Sequence, residues 1–126
     1  MYRLEENYTI DDLDKIANLL LQKSKSKVIL FHGEMGVGKT TLIKALVKSL
    51  GSQDEVQSPT YAIVNEYQGS DGFIYHFDMY RLEELKVVYN FGFEEYLTED
   101  HWIFIEWPEL IESIVPNHAQ HIFLEL

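Results

Sequence analysis

The run Gly33-Glu34-Met35-Gly36-Val37-Gly38-Lys39-Thr40 fits the pattern G-x-x-x-x-G-K-[ST] of a phosphate-binding loop. An apolar, β-prone segment at residues 28–31 precedes the loop, and a helix-like segment follows it from Thr41. Glycines let successive N–H groups point at one anion, and the start of the helix adds its positive dipole end. The chain is therefore predicted to hold the phosphates of a nucleotide.

The residues of this motif have distinct predicted roles. Lys39 is expected over the β- and γ-phosphates, and the Thr40 hydroxyl is placed to bind a magnesium ion that bridges them. No N-K-x-D guanine motif is present in the sequence, so ATP with Mg²⁺ is the expected ligand pair. The predicted nucleotide-binding residues are Gly33, Glu34, Met35, Gly36, Val37, Gly38, Lys39, Thr40 and Thr41.

The size and composition favour a single cytoplasmic domain that spans residues 1–126. A hydrophobic fraction of 46% is ample for a packed core. The apolar runs are too short to cross a bilayer, and the first residues lack the features of a signal peptide. The absence of cysteine excludes disulfides, zinc–thiolate sites and thiol nucleophiles.

A formal net charge of −11 opposes a broad nucleic-acid surface. Phosphate backbones are bound by clustered Lys and Arg side chains. We therefore expect any contact with RNA to be indirect, through partner proteins.

The hydrophobic pattern predicts a small α/β fold of the P-loop NTPase type. Helices are predicted at residues 9–22, capped by Thr9, and after the glycine loop as far as a left-handed cap at Gly51. Shorter helical segments are predicted near residues 82–89, 93–97 and 109–113, and strands at residues 28–31, 61–67, 73–77, 102–105 and 121–124. The sheet should be mostly parallel, with an antiparallel hairpin that turns at residues 68–72 and helices on both faces.

Two carboxylates stand at predicted strand ends, where ligands of parallel sheets bind. Glu106 follows the strand at residues 102–105 and fits a magnesium ligand of the Walker B type, although a solvated carboxylate is the alternative. Asp78 follows the strand at residues 73–77 and could orient the attacking water, cap the next helix or pair with Arg81. The phosphate-binding loop in the same chain favours the metal and catalytic roles.

Thr60 and His76 have less distinctive surroundings. Thr60 lies in the segment Ser58-Pro59-Thr60, which fits either a switch that senses the γ-phosphate or an ordinary proline turn. His76 alternates with aromatic residues, a pattern more typical of a satisfied core histidine than of a catalyst.

Four stretches together resemble the bacterial TsaE (YjeE) family, small ATPases needed for the threonylcarbamoyladenosine modification of transfer RNA. They are GEMGVGKTT at residues 33–41, VQSPTY at 56–61, YHFDMYRL at 75–82 and IEWPE at 105–109. GFEEY at residues 92–96 adds a weaker match. Family members usually continue for a few more strands than this sequence does.

The resemblance implies a magnesium-dependent ATPase that is not itself the modifying enzyme. It implies Mg²⁺ at Thr40 and Glu106, with Lys39 and Asp78 in catalysis and Thr60 in a switch-like loop. TsaE-like proteins bind a complex of TsaD and TsaB, whose repeated threonylcarbamoyl transfer their ATP turnover supports. Trp107 is by resemblance a functional aromatic, and a packed or interfacial tryptophan is the alternative.

Two other functions fit a phosphate-binding loop. A small-molecule kinase would need several arginines in a lid, whereas this chain has only Arg3 and Arg81. A nucleotide-gated binding module would use the same loop with little turnover. The second alternative differs from the ATPase in rate rather than in the residues of the site.

Overall fold

The computed structural model describes residues 8–34, 38–56, 64–80, 82, 84–90, 92–98 and 100–125. Its helices are α1 (Leu13–Lys23), α2 (Lys39–Ser49), α3 (Leu85–Asn90) and α4 (Phe93–Leu97). Its strands are β1 (Val28–His32), β2 (Val64–Gly69), β3 (Gly72–Asp78), β4 (Trp102–Glu106) and β5 (Gln120–Phe123). Two 3₁₀ turns, Ile10–Asp12 and Pro108–Ile111, precede α1 and follow β4.

The strands form one sheet in the order β2-β3-β4-β1-β5. β1 runs parallel to both β4 and β5, and β4 runs parallel to β3. Among the strand pairs of the described residues, β2 and β3, which form the hairpin, are antiparallel. This arrangement confirms the predicted α/β class with a mostly parallel sheet and one antiparallel hairpin.

The sheet buries an apolar layer on each face, because side chains of successive strand residues alternate between the faces. On one face, Ile29, Phe31 and Phe104 pack with residues of α1 and α2. On the opposite face, Leu30 and Ile105 pack with residues of α3, α4 and the turn Pro108–Ile111. Helices therefore cover both faces, as predicted.

The first helix begins differently from the prediction. Asp12, not Thr9, is the N-cap residue of α1, and one 3₁₀ turn precedes it. The Asp12 carboxylate accepts hydrogen bonds from the backbone N–H of Thr9 at 3.1 Å and from its hydroxyl at 3.2 Å. Thr9 thus donates to the acid three residues later instead of capping the helix itself.

The hairpin turn is tighter than the predicted loop at residues 68–72. Gly69 and Gly72 pair across the ladder, so the turn between the strands comprises only Ser70 and Asp71. Gly72 has φ +136°, a conformation that L side chains rarely adopt, which explains glycine at this position. Predicted strand residues 61–63 lie outside the described residues.

The remaining boundaries differ little from the predictions. Gly51 has φ +89° just after α2, which confirms the predicted left-handed cap. The predicted helix at residues 109–113 is a 3₁₀ turn that begins at Pro108. Among the described residues, no helix is both long enough and apolar enough to cross a membrane.

Candidate functional site

The first turn of α2 follows directly from the glycine loop. Gly38 has φ +98° and acts as the N-cap residue, which lets the chain change direction sharply into the helix. Lys39, the first helical residue, is buried with 5% of its surface exposed. Its ammonium group donates a hydrogen bond of 2.6 Å to the carbonyl oxygen of Gly33, which spans the loop from end to end.

The ammonium group of Lys39 also lies against an aromatic ring. Its Nζ atom is 3.4 Å from the centroid of the Trp107 ring, a cation–π contact. Burial lowers the pKa of Lys39, while the nearby carboxylates of Glu106, Glu109 and Asp78 partly oppose the shift. The cation is thus held next to negative charge at the end of the sheet.

Thr40 and Glu106 face each other between α2 and β4. The Thr40 hydroxyl lies 3.1 Å and 3.2 Å from the two carboxylate oxygens of Glu106. Glu106 is the last residue of β4 and its side chain shares the α2-facing side of the strand with Phe104. A helix start and a strand end therefore contribute oxygen atoms to one point.

A chain of hydrogen bonds behind Glu106 fixes the carboxylate. His76 Nε2 lies 2.6 Å from Glu106 Oε2, and His76 Nδ1 lies 3.2 Å from the Tyr67 hydroxyl. An ionised carboxylate only accepts hydrogen bonds, so His76 donates to Glu106 through Nε2. All three side chains are at least 95% buried, which makes the pairing structurally important.

Asp78 stands beside Glu106 on the neighbouring strand. The two residues are partners in the parallel ladder of β3 and β4, and the N–H of Met79 donates to the Glu106 carbonyl at 3.1 Å. Burial raises the pKa of the Asp78 carboxyl group, and the Glu106 carboxylate raises it further. The hydrogen bond from the backbone N–H of Tyr80 lowers this pKa, and so do the electrostatic effects of the His76 and Lys39 side chains. Perturbed carboxylates of this kind are concentrated at functional sites.

Trp107 borders the site in an unusual backbone conformation. Its φ of 54° is positive, the only such value for a non-glycine residue in the described part of the chain. Its ring lies 4.8 Å from the ring of the exposed Tyr80, measured between centroids. An open pocket of about 370 Å³ lies here, lined by Met79, Tyr80, Leu82, Trp107, Glu109 and Leu110.

Residues 2–126 match the family model described as threonylcarbamoyl adenosine biosynthesis protein TsaE. The chain belongs to the TsaE family. It is 38% identical over 105 residues to a tRNA threonylcarbamoyladenosine biosynthesis protein TsaE of Haemophilus influenzae, covering 82% of this chain and 66% of the relative. A TsaE of Rickettsia felis is 34% identical, over 92% of this chain and 68% of the relative.

A solved structure supports the same relationship. The fold is similar to the crystal structure of YdiB from Bacillus subtilis, with a TM-score of 0.67 and 28% identity. The similarity covers 93% of this chain and 72% of YdiB. The chain spans about two thirds of the length of the TsaE relatives from Haemophilus and Rickettsia felis.

In this TsaE-family chain, several residues predicted for the site lie together. Lys39, Thr40, Asp78 and Glu106 meet where α2 begins and β3 and β4 end. Thr41 is exposed on α2, and Glu34 is exposed directly after Gly33. Other predicted positions lie outside the described residues, namely Met35, Gly36, Val37 and Thr60, and so does Arg81, the proposed partner of Asp78.

Two parts of the site were not predicted from the sequence. The interpretation of His76 as a satisfied core residue is correct, but its partner Glu106 was missed. Strand alternation contains the signal, because His76 and Asp78 are two residues apart on one strand face and Asp78 is opposite Glu106. The contact between Lys39 and Trp107 has no comparable sequence signal, because it joins the start of α2 to the residue after β4.

Proposed function

We propose that this chain is a magnesium-dependent ATPase that supports the threonylcarbamoyladenosine modification of transfer RNA. The observation that carries the proposal is the contact of the Thr40 hydroxyl with the Glu106 carboxylate beside the glycine loop. A hydroxyl at the loop's end and an acid at the end of a neighbouring strand form the usual magnesium-binding pair of P-loop NTPases.

The donor atoms at this point suit Mg²⁺. Magnesium prefers oxygen ligands and commonly binds one or two protein side chains together with phosphate oxygens and water. Thr40 and Glu106 offer such oxygens, and His76 holds the Glu106 carboxylate in position. A bound magnesium ion would neutralise charge on the β- and γ-phosphates of ATP.

The remaining side chains have roles that follow from their charges. Lys39, at the N-terminus of α2, would exchange its contact with the Gly33 carbonyl for the phosphate oxygens of ATP. Asp78 would orient the attacking water, because its carboxyl group is half-buried beside Glu106 and its raised pKa makes it a better proton acceptor.

The proposed partners of this chain are proteins similar to TsaD and TsaB. The proposed location of the chain and of these partners is the cytoplasm. The net charge of −11 disfavours direct binding of transfer RNA by this chain. In this arrangement the partner complex holds the RNA and transfers the threonylcarbamoyl group. ATP turnover by this chain would then allow repeated cycles of transfer.

The test measures ATP binding and phosphate release by the full chain, alone and with a TsaD–TsaB complex. We expect magnesium-dependent binding in both conditions and faster turnover with the complex. The Lys39→Ala variant is the control for both measurements. Turnover no greater than that of Lys39→Ala in either condition would refute the ATPase, and binding without turnover would favour a nucleotide-gated module.

A further inference from the structure

A second cluster of ligand-type side chains lies on the sheet face opposite the Thr40–Glu106 pair. His32 is the last residue of β1, and in the parallel ladder it is partnered with Phe123 while Leu30 is partnered with His121. Residues two apart on a strand share a face. The His32 ring is therefore flanked by His121 and Phe123, at centroid distances of 5.1 Å and 4.4 Å.

The third member of the cluster, Glu112, directly follows the turn Pro108–Ile111. Ile111 packs into the core on the same face as Leu30, and the side chain of the next residue, Glu112, reaches His32 at the end of β1. Glu112 Oε1 lies 3.7 Å from His32 Nε2, and His32 Nε2 lies 2.9 Å from His121 Nδ1. One ligand atom from each of these three residues lies within 4.8 Å of the other two.

We propose that His32, Glu112 and His121 form a binding site for a divalent transition metal ion, with Zn²⁺ as the preferred ion. Two imidazole nitrogens and one carboxylate are a common ligand set for zinc, which leaves a fourth tetrahedral position for water. Magnesium and calcium prefer oxygen-only ligand sets, so the cluster discriminates against them.

The spacing of the two imidazole rings fits a tetrahedral ion. Rings bound to one zinc ion through bonds of about 2.05 Å have centroids about 5.2 Å apart. The centroids of His32 and His121 are 5.1 Å apart, with ring planes 19° from parallel. His32 Nε2 and His121 Nδ1 already face each other across 2.9 Å, so an ion bound between the rings would replace their hydrogen bond.

The surroundings of the cluster are also favourable. The Glu112 carboxylate compensates part of the charge of a divalent ion, and the acidic chain as a whole attracts cations. His32 is held in place because its carbonyl accepts a hydrogen bond of 2.9 Å from the N–H of Leu124. An ion here would connect β1, the edge strand β5 and the turn that follows β4.

The first test is a calorimetric titration of the untagged full chain with ZnCl₂ in buffer that contains millimolar Mg²⁺, which saturates oxygen-only sites. We expect one zinc ion per chain. His121→Ala and Glu112→Gln should each weaken zinc binding by at least about tenfold, the scale typical for groups that support a metal site. Both side chains are exposed, so these substitutions leave the core intact.

His118→Ala is the matched control, because this exposed histidine bonds to Ser26 instead of joining the cluster. It should retain the wild-type zinc affinity. Zinc should raise the melting temperature of the wild type and His118→Ala more than that of His121→Ala, since binding to the folded state stabilises it. Equal zinc affinity in the wild type, His121→Ala and Glu112→Gln would overturn the proposal, as would an equal loss in His118→Ala.

Discussion

Thr40 and Glu106 are 66 positions apart in the chain, yet the Thr40 hydroxyl is 3.1 Å from a Glu106 carboxylate oxygen. Two features of the fold bring them together. β1 and β4 are adjacent parallel strands with Phe31 opposite Glu106, and α2 starts shortly after β1. The contact therefore follows from the parallel pairing, which places two chain segments at the same edge of the sheet.

Removing the Thr40 hydroxyl should separate metal binding from nucleotide binding. We expect Thr40→Val to weaken ATP binding at least about tenfold in the presence of Mg²⁺. In EDTA, where the hydroxyl has no ion to bind, the wild type and the variant should differ little. Fluorescence titration with an ATP analogue in the two buffers measures both affinities.

Thr40→Ser is the control, because it keeps the hydroxyl that contacts Glu106. It should bind the analogue like the wild type in both buffers. An equal loss of affinity in Thr40→Val with Mg²⁺ and with EDTA would mean that the hydroxyl acts on the nucleotide directly.

Replacing His76 should destabilise the protein more than replacing Tyr67, whose hydroxyl bonds to the His76 ring. His76→Leu removes the bond to the buried Glu106 carboxylate and the bond to Tyr67, and we expect a loss of about 3 kcal/mol in the free energy of unfolding. Tyr67→Phe removes only a hydroxyl, for an expected loss of about 1 kcal/mol. Urea unfolding of both variants gives the comparison.

The ranking of these two variants tests whether His76 positions Glu106. Because Glu106 loses its neighbour in His76→Leu, the magnesium-dependent part of ATP affinity should also fall. Tyr67→Phe should leave that affinity near the wild-type value. The interpretation is wrong if Tyr67→Phe costs as much stability as His76→Leu.

The backbone at Trp107 gives a third prediction. Trp107 has a left-handed backbone conformation. This conformation is disfavoured by about 1–2 kcal/mol for a residue that has a Cβ atom, but not for glycine. Trp107→Ala and Trp107→Gly both lose the ring contacts with Lys39 and Tyr80, so their difference isolates the backbone. We expect Trp107→Gly to be about 1 kcal/mol more stable to urea than Trp107→Ala.

Equal stability of the two variants would show that the chain leaves the left-handed region once the ring is removed. In that case the packing of the indole ring would hold the backbone in place. A greater stability of Trp107→Gly would show that the neighbouring Glu106 and Pro108 impose the conformation.

The sequence predicts those parts of the fold that depend on local pattern. Alternation and apolar runs were enough for the strands and for the position of Glu106 at the end of β4. The glycine at position 51 was enough to place the end of α2. These signals depend on neighbours within a few residues, which a single sequence records directly.

Other features depend on which strands become neighbours, and a single sequence does not record that. The bond between His76 and Glu106 requires β3 to pair with β4, and the cluster of His32 with His121 requires β5 to pair with β1. Local preference predicts Thr9 as a cap, whereas its N–H and its hydroxyl both donate to the Asp12 carboxylate. The sequence is therefore least informative about contacts that depend on strand pairing and about the partner that a polar side chain selects.

The raised pKa of Asp78 predicts how this residue affects stability. When the folded-state pKa of an acid exceeds its unfolded value, the native protein binds more protons between the two values, so stability falls as pH rises through that window. Asp78→Asn removes the titrating carboxyl group and therefore removes this loss of stability. Its stability relative to the wild type should increase from the unfolded pKa of about 3.9 towards neutral pH.

Urea unfolding at several pH values measures this difference, with Asp71→Asn in the exposed hairpin turn as the matched substitution for comparison. A site residue that costs stability is retained for function, so Asp78→Asn should also lower ATP turnover, by about 100-fold for a lost proton acceptor. ATP affinity should stay close to the wild-type value, because Glu106 and Lys39 remain. A variant that is more stable at neutral pH yet turns over ATP normally would limit Asp78 to a structural role, since burial beside Glu106 alone would then explain its pKa.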